Sequence, residues 1–309
     1  MQFILGVEHQ REDDGRPLSV TTFHELWSQS LLGMGLRLLL DKQNWILPRT
    51  RYLEACAKLH TFVDFAIDQS IWRTENPSST LNNNTSMVDV VVPQALNKND
   101  ARNQLMHTVL ANQETTAVLA CNAIQLLAEH PSIWKQLREE MQIKGADLLT
   151  FDGLRESKLV YNILMETLRL RPVFAVFGRR TLRDVTLPTG GGPKGDQPLH
   201  VPAGTNGIAN FWSLNFDPAV FGPDVHKFRP DRWKDINPSA KEFAPFGMGG
   251  RTCLGKEKAL IEASYVLFRL VERFEGLKGL VGGQWKPSAQ LSMRNKAGYK
   301  VAFHTGKEE

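Results

Sequence analysis

Cysteine is scarce in this sequence of 309 residues, which contains only Cys56, Cys121 and Cys253. Three cysteines cannot all pair, and their spacing matches no zinc-binding motif. The chain is therefore not a disulfide-rich scaffold, and a reducing compartment is expected. Cys56 lies on a helical stripe of apolar residues, so we interpret it as a packing residue rather than a reactive thiol, and Cys121 is interpreted in the same way.

Long hydrophobic runs are absent as well. The most apolar stretch, Leu31 to Leu40, contains Arg37 and falls short of the roughly 18 residues that a membrane-spanning helix needs. The amino-terminal sequence MQFILGVEHQRE has no basic leader and does not indicate a signal peptide. The sequence therefore predicts a chain without a membrane anchor.

A strong excess of one charge is missing too, since the formal net charge is +4 and the pI is about 8.9. A mildly basic surface suits an acidic partner protein or a membrane surface, and nothing indicates nucleic acid. The stretch TGGGPKG lacks the Gly-Lys-Ser/Thr ending of a phosphate loop, and a hairpin turn explains it better. In GMGGRT, Thr252 stands where a dinucleotide fingerprint needs its third glycine.

The spacing of apolar residues predicts a fold that is mainly α with minor β, in one domain over residues 1–309. A long helix is predicted from about Asp100 to Glu129, because Pro131 forces a stop, and a last long helix from Leu254 to about Phe274. Short β-like runs occupy residues 173–202 and the carboxyl-terminal tail. One further helix is predicted from a stripe at helical spacing: Leu53, Cys56, Leu59, Phe62, Val63 and Ala66.

One cysteine stands in a glycine-rich loop, FAPFGMGGRTCLG, just before the last predicted helix. The glycines let the backbone fold tightly around a sulfur atom, and the unpaired N–H groups of a helix start favour the thiolate of Cys253. Arg251 adds a positive charge suited to a carboxylate. These features fit a heme whose iron is bound by Cys253, with a propionate on Arg251. A catalytic cysteine nucleophile and a redox thiol remain alternatives.

The stretch FGMGGRTCLG matches the pattern Phe-x-x-Gly-x-Arg-x-Cys-x-Gly at Phe246, Gly249, Arg251, Cys253 and Gly255. It resembles the cysteine-ligand signature of cytochrome P450 monooxygenases. The resemblance implies that these residues bind heme b (iron protoporphyrin IX), with an axial thiolate from Cys253 to the iron.

Two further motifs resemble this family's structural network. ETLR contains Glu166 and Arg169, which share one helical face, and LRLRP follows directly. FRPDRW contains Arg232 and precedes the cysteine loop. The resemblance implies that these three side chains form a buried, structural network that holds the segment leading to Cys253.

The long central helix contains ANQETT, which resembles the family's acid–alcohol pair with Glu114 and Thr115 in a proton-delivery role. Asn112 departs from the usual glycine, which leaves the shape of the oxygen groove open. By position, Arg179 resembles the second arginine that binds a propionate, and the adjacent Arg180 remains an alternative.

Within the family, the sequence resembles fungal enzymes that hydroxylate alkanes and fatty acids, most densely over residues 95–275. The resemblance implies a cytochrome P450 fold lacking its amino-terminal part: the anchor, much of the main sheet and the early helices. Glu114 and Thr115 argue against a heme-thiolate isomerase or dehydratase. A truncated, non-catalytic fragment that cannot hold heme is the alternative function.

The same resemblance implies a heme-thiolate monooxygenase that inserts one oxygen atom from O2 into a C–H bond of a lipophilic substrate. Electrons would come from NADPH through NADPH-cytochrome P450 reductase. The family resemblance implies the cytosolic face of the endoplasmic reticulum membrane, whereas a chain without an anchor is expected in the cytoplasm.

Overall fold

The computed structural model describes residues 2–6, 17–76, 86–280, 285–289 and 292–305. Helices dominate these residues, which confirms the predicted fold class. The helices are α1 Gln2–Leu5, α2 Val20–Leu40, α3 Thr50–Glu75, α4 Met87–Val91, α5 Lys98–Glu129, α6 Pro131–Lys144, α7 Phe151–Glu156, α8 Lys158–Leu170, α9 Phe211–Leu214, α10 Pro218–Phe221 and α11 Lys256–Arg273.

The strands form antiparallel pairs: β1 with β4, β2 with β3, β5 with β8 and β6 with β7. In chain order they are β1 Val176–Arg180, β2 Val185–Gly191, β3 Gln197–Val201, β4 Asn206–Asn210, β5 Gly276–Gly279, β6 Pro287–Ala289, β7 Met293–Asn295 and β8 Val301–His304. The stretch TGGGPKG forms the end of β2 and the turn into β3, as predicted. Gly190, Gly192 and Gly195 there adopt positive φ, which other residues rarely tolerate.

The ends of the two long predicted helices follow local sequence rules. Helix α5 begins at Lys98, two residues before the predicted start, and ends at Glu129, where Pro131 opens α6. Helix α11 begins at Lys256 rather than Leu254, because Gly255 occupies its N-cap. Across the described ranges, none of the helices is both long and apolar enough to cross a bilayer.

Contacts divide the chain into two compact units, Met1–Glu114 and Thr115–Glu309. The core of the first unit contains stacked Phe23 and Trp27, with Phe62 packed against Phe23. Four residues of the predicted stripe on α3 are buried there: Leu59, Phe62, Val63 and Ala66. The predicted helix is thus confirmed as α3. Its apolar stripe is not buried in the first turns, because Leu53 is 56% exposed and Cys56 is half-buried.

A close contact joins α2 and α3 in the first unit. The guanidinium of Arg37 lies 4.0 Å from the centre of the Tyr52 ring and donates to the carbonyls of Gly33 and Pro48 at 2.9 Å. A Cβ atom on Gly33 would come within 2.4 Å of Tyr52 Cδ2, whereas one on Gly35 would meet no atom within 4 Å. Only a glycine at 33 therefore lets the tyrosine ring pack against α2.

The start of α4 is held by Asp89. Its carboxylate accepts hydrogen bonds from the Ser86 N–H at 2.9 Å, from Arg73 at 2.6 Å and from the Ser70 hydroxyl at 2.8 Å. Burial by itself raises the pKa of Asp89, but the hydrogen bonds from Ser86, Arg73 and Ser70 outweigh it and lower that pKa to about 2. This carboxylate ties α4 to α3.

Helix α8 lies at the centre of the second unit. Its residues Val160 and 162–169 are all buried, which is typical of a helix enclosed on every side. Its core neighbours include Ala263, Leu267 and Phe268 of α11, each fully buried. The Ser157 hydroxyl caps its start by accepting from the Val160 N–H. A buried, capped helix gives Glu166 and Arg169 a rigid position.

Candidate functional site

The cysteine loop folds back on itself through short backbone hydrogen bonds. Buried Phe243 and Ala244 anchor its start, and the N–H of Gly247 donates to the Ala244 carbonyl at 2.9 Å. The N–H of Cys253 donates to the Phe246 carbonyl at 2.9 Å. Gly247 and Gly249 have φ angles of 72° and 71°, so this turn needs glycine at both positions.

The side chain of Cys253 is exposed at the mouth of this loop, three residues before α11 begins. A Cβ atom built on Gly249 or Gly250 would meet no described atom within 4 Å, so the loop borders open space. A Cβ on Gly255 would lie 4.0 Å from Cys253 Sγ. The glycines thus leave the thiol uncovered at a helix start, which is the geometry that a metal-binding thiolate needs.

The surface around the thiol combines apolar and cationic side chains. Leu254 is 98% exposed and Met248 is also exposed. Arg251 is exposed in a short 3₁₀ turn, and the Lys256 ammonium lies 5.9 Å from the half-buried Phe246 ring. An apolar surface beside a thiol, with an arginine able to bind a carboxylate, fits the chemistry of a heme with its propionates. The residues present therefore suit that cofactor.

The second predicted propionate ligand, Arg179, lies on β1 with an exposed side chain. Its Nη1 donates to the carbonyl of Gly178 at 2.9 Å, and its guanidinium lies 6.0 Å from the Phe177 ring centre. Arg180 is also exposed, and its guanidinium lies near Gly204. Both arginines are accessible to an anionic group.

Glu114 and Thr115 lie near the middle of α5, and both are half-buried. Neighbouring residues point about 100° apart around a helix, so their side chains diverge. The helix is continuous through Asn112, the residue that departs from the glycine expected by resemblance. Asparagine in a helix interior lowers the stability of the helix less than glycine does, which is consistent with this unbroken backbone.

The structure brings Glu166, Arg169 and Arg232 together in one cluster with fully buried side chains. Arg169 binds both carboxylate oxygens of Glu166, at 2.8 and 2.9 Å. The carboxylate also accepts from Arg232 Nε at 3.2 Å, from the Arg229 N–H at 3.0 Å and from Trp233 Nε1 at 3.1 Å. Five donors thus satisfy one buried anion, as buried charges require.

The other donors of Arg169 bind the backbone of a distant segment. Its Nη1 donates to the carbonyls of Asn215 at 3.1 Å and Val225 at 2.6 Å, and its Nη2 donates to that of Lys227 at 3.3 Å. The amide of Asn215 returns two bonds to α8, to the carbonyls of Leu168 and Arg169. Helix α8 is thereby joined to the chain that follows α9.

Arg232 binds the same segment from its other end. It donates to the carbonyls of Phe221, Asp224 and Lys227 and to the Asp224 carboxylate at 2.9 Å. The hydrogen bond from Arg232 is the main cause that lowers the pKa of Asp224. The cluster therefore holds the backbone from 215 to 233, the segment that leads into the cysteine loop.

Sequence reasoning missed the other side chains that complete this cluster. Trp233 directly follows Arg232 in FRPDRW, so an indole beside a predicted buried arginine was an available signal. Asn215 and Asp224 carried no comparable signal, because their partners lie far away in the sequence.

Comparisons with known proteins identify the family of this chain. The cytochrome P450 family model matches residues 14–302. Cytochrome P450 52B1 from Candida tropicalis is 34% identical over 293 residues, which is 91% of this chain and 56% of that protein. Cytochrome P450 monooxygenase himC from Aspergillus japonicus is 35% identical over 243 residues, 77% of this chain and 44% of that protein.

A third relative, cytochrome P450 monooxygenase FPY7 from Fusarium mangiferae, is 30% identical over 82% of this chain and 50% of its own length. The chain thus spans about half the length of the curated relatives it matches. These relatives are fungal proteins, which confirms the predicted fungal resemblance. Because the family model covers almost all of the chain and a relative is 34% identical over 91% of it, the chain belongs to the cytochrome P450 family.

Proposed function

We propose that this protein is a heme-thiolate monooxygenase that acts on a lipophilic substrate such as an alkane, a fatty acid or a secondary metabolite. The observation that carries the proposal is the exposed thiol of Cys253, framed by glycines at the start of α11. An ordinary packing cysteine would be buried, and a disulfide would need a partner. Here the chain leaves a sulfur uncovered beside an arginine and an apolar surface.

In this proposal Cys253 Sγ binds the iron of heme b, and Arg251 and Arg179 bind its propionates. Phe246, Gly249 and Gly255 shape the loop around the sulfur. When bound, the heme supplies the chemistry that activates O2, so that one oxygen atom enters a substrate C–H bond and the other leaves as water. The protein contributes the thiolate, the N–H groups near it and the shape of the surface.

The proposed proton path uses Glu114 and Thr115. A carboxyl group such as that of Glu114 can take up and release a proton, and the Thr115 hydroxyl can accept one and donate one, so each residue can take part in proton delivery. Their half-burial supports the role, because a proton path needs contact with both solvent and the reacting centre. Thr115 would release the proton from its Oγ1 atom.

The proposed partners follow from the family. Electrons would come from NADPH through NADPH-cytochrome P450 reductase, and the net charge of +4 is compatible with an acidic partner. We place this reaction at the cytosolic face of the endoplasmic reticulum membrane, where lipophilic substrates are concentrated.

The test is the absorption spectrum of the purified, heme-supplied protein after reduction and addition of carbon monoxide. A red-shifted Soret band typical of thiolate ligation is expected, and Cys253→Ser should abolish it. Cys56→Ser and Cys121→Ser are matched controls that should keep the band. Absence of heme uptake by the unmodified chain would refute the proposal in favour of a non-catalytic fragment.

A further inference from the structure

A buried polar contact joins the second half of α5 to the chain around β7. The Tyr299 hydroxyl donates to Asn122 Oδ1 at 3.0 Å, and Asn295 Nδ2 donates to Gln125 Oε1 at 3.2 Å. Asn122, Gln125 and Asn295 are at most 5% exposed. We call these four residues, which all lie in the second compact unit, the α5 seam.

Further polar groups of Asn122 and Asn295 in the α5 seam also have partners. Asn122 Nδ2 donates to the Arg171 carbonyl at 3.3 Å, and the Asn295 N–H donates to the Tyr299 oxygen at 3.3 Å. Asn295 Oδ1 accepts from the backbone of Ala297 at 3.3 Å. Burial raises the pKa of Tyr299, so its hydroxyl keeps the proton that it donates. The seam is thus a connected network rather than one isolated bond.

Such a network restricts α5 more than apolar packing does. Apolar neighbours such as Val118, Leu119 and Leu126 favour burial of a helix face, but they tolerate small rotations about the helix axis. A buried amide that loses its partner costs about 1–3 kcal/mol, so rotation away from Tyr299 is penalised. Buried polar residues fix register in other helical assemblies for the same reason.

The rotation of α5 also sets the direction of Thr115. Asn122 follows Thr115 by seven residues, which is close to two helical turns, so the two side chains lie on nearly the same face. The part of α5 between them is continuous helix. A hydrogen bond that fixes the direction of the Asn122 side chain therefore also fixes the direction of Thr115 Oγ1, about 10 Å away along the helix axis.

We propose that Asn122 and Tyr299 are positioning residues for Thr115, which hold α5 at the rotation that points its hydroxyl toward the reacting centre. The role of Thr115 rests on the proposed function, whereas the rotational constraint does not. Neither residue touches the reacting atoms in this proposal, so both act through the helix.

The first experiment measures helix rotation without heme. A single cysteine replaces Thr115, Thr116 or Ala117 in three separate variants, because these positions point in three directions around α5. The variants are treated with a thiol reagent, and the rate at which each introduced cysteine is labelled is measured by peptide mass spectrometry. Each is combined with Tyr299→Phe, with Asn122→Leu or with the control Tyr161→Phe, whose side chain is 43% exposed.

Loss of the seam should change the ratios among the three labelling rates by about fivefold, the factor that corresponds to one hydrogen bond of about 1 kcal/mol. The control Tyr161→Phe should leave the ratios unchanged. A merely structural role would raise all three rates by a common factor, and that result, like unchanged rates, would overturn the proposal.

The second experiment uses the heme-loaded protein with its reductase. Tyr299→Phe should keep the carbon monoxide spectrum but divert electrons from product to hydrogen peroxide by about fivefold. Altered labelling ratios with unchanged coupling would overturn the link to Thr115. Absence of heme uptake by the unmodified chain would instead refute the proposed function, and the labelling ratios would still decide whether the seam sets the rotation.

Discussion

Glu166→Gln is the sharpest test of the buried cluster, because it removes a charge and keeps the size of the side chain. One glutamine oxygen can take the place of Oε1 and accept from Arg169, Arg229 and Arg232. The glutamine NH2 group then faces Arg169 Nε and Trp233 Nε1, which are donors as well. Two buried arginines would thus lose their shared anion, and two donors would lose their acceptor.

The expected loss of stability is large. Removing one partner of a buried ion pair costs about 3–5 kcal/mol, because the remaining charge stays buried without compensation. A domain is stable by about 5–15 kcal/mol in total, so the substitution should remove about a fifth or more of that free energy. The partial compensation of Arg232 by Asp224, at 2.9 Å, argues for the lower half of the range.

Urea unfolding followed by circular dichroism measures this loss. Glu166→Gln should lower the midpoint by about 1 M or more at a typical slope of 1–3 kcal/mol per M. The matched control is Glu139→Gln on α6, whose side chain is 53% exposed and 3.8 Å from Lys135. An exposed helical pair contributes about 0.5 kcal/mol at most. A midpoint for Glu166→Gln that equals the control's would refute the claim that the cluster stabilises the fold by holding the backbone from 215 to 233.

Three further outcomes are expected. Gly33→Ala should lower the free energy of unfolding by about 1–3 kcal/mol, because the added Cβ meets the Tyr52 ring. The control Gly35→Ala should be neutral or stabilise the protein by up to about 1 kcal/mol. Equal effects of the two substitutions in urea unfolding would contradict this prediction. Asp89 has a folded pKa of about 2 against 3.8 ordinarily, so its contribution to the free energy of unfolding is present above pH 4 and is lost as the pH falls toward 2. Asp89→Asn should therefore lower the free energy of unfolding by on the order of 1–2 kcal/mol at pH 6 and by progressively less below pH 4. A loss of stability that does not depend on pH would contradict this prediction. Thr115→Ala should keep the heme spectrum and reduce productive turnover by roughly 10²-fold with peroxide released, and normal coupling would exclude the proton role.

Local features of the fold and site could be predicted from the sequence because they depend on neighbouring residues. The glycines before Cys253 and the helix after it form one short segment, and their φ angles and cap follow from residue type. The end of α5 followed from Pro131 in the same way. Helical spacing also placed Glu166 and Arg169 on one face.

Long-range features could not be predicted in this way. Helical spacing states which residues share a face, but it does not state which part of that face is covered, and Leu53 is exposed for this reason whereas Leu59 is buried. The bond between Asn122 and Tyr299 joins residues 177 positions apart. Periodicity along α5 carries no information about such a partner, and Arg232 was assigned to the cluster only through a family resemblance.

The Glu166 cluster has a consequence for how its sequence can vary. Arg169 and Arg232 make six hydrogen bonds to five backbone carbonyls between Asn215 and Lys227, and the Lys227 carbonyl is shared by both arginines. A carbonyl is the same in every residue type, so substitutions along this segment can preserve these contacts. A deletion or insertion shifts every later carbonyl out of reach. We therefore expect that this segment accepts many substitutions but accepts no insertion or deletion.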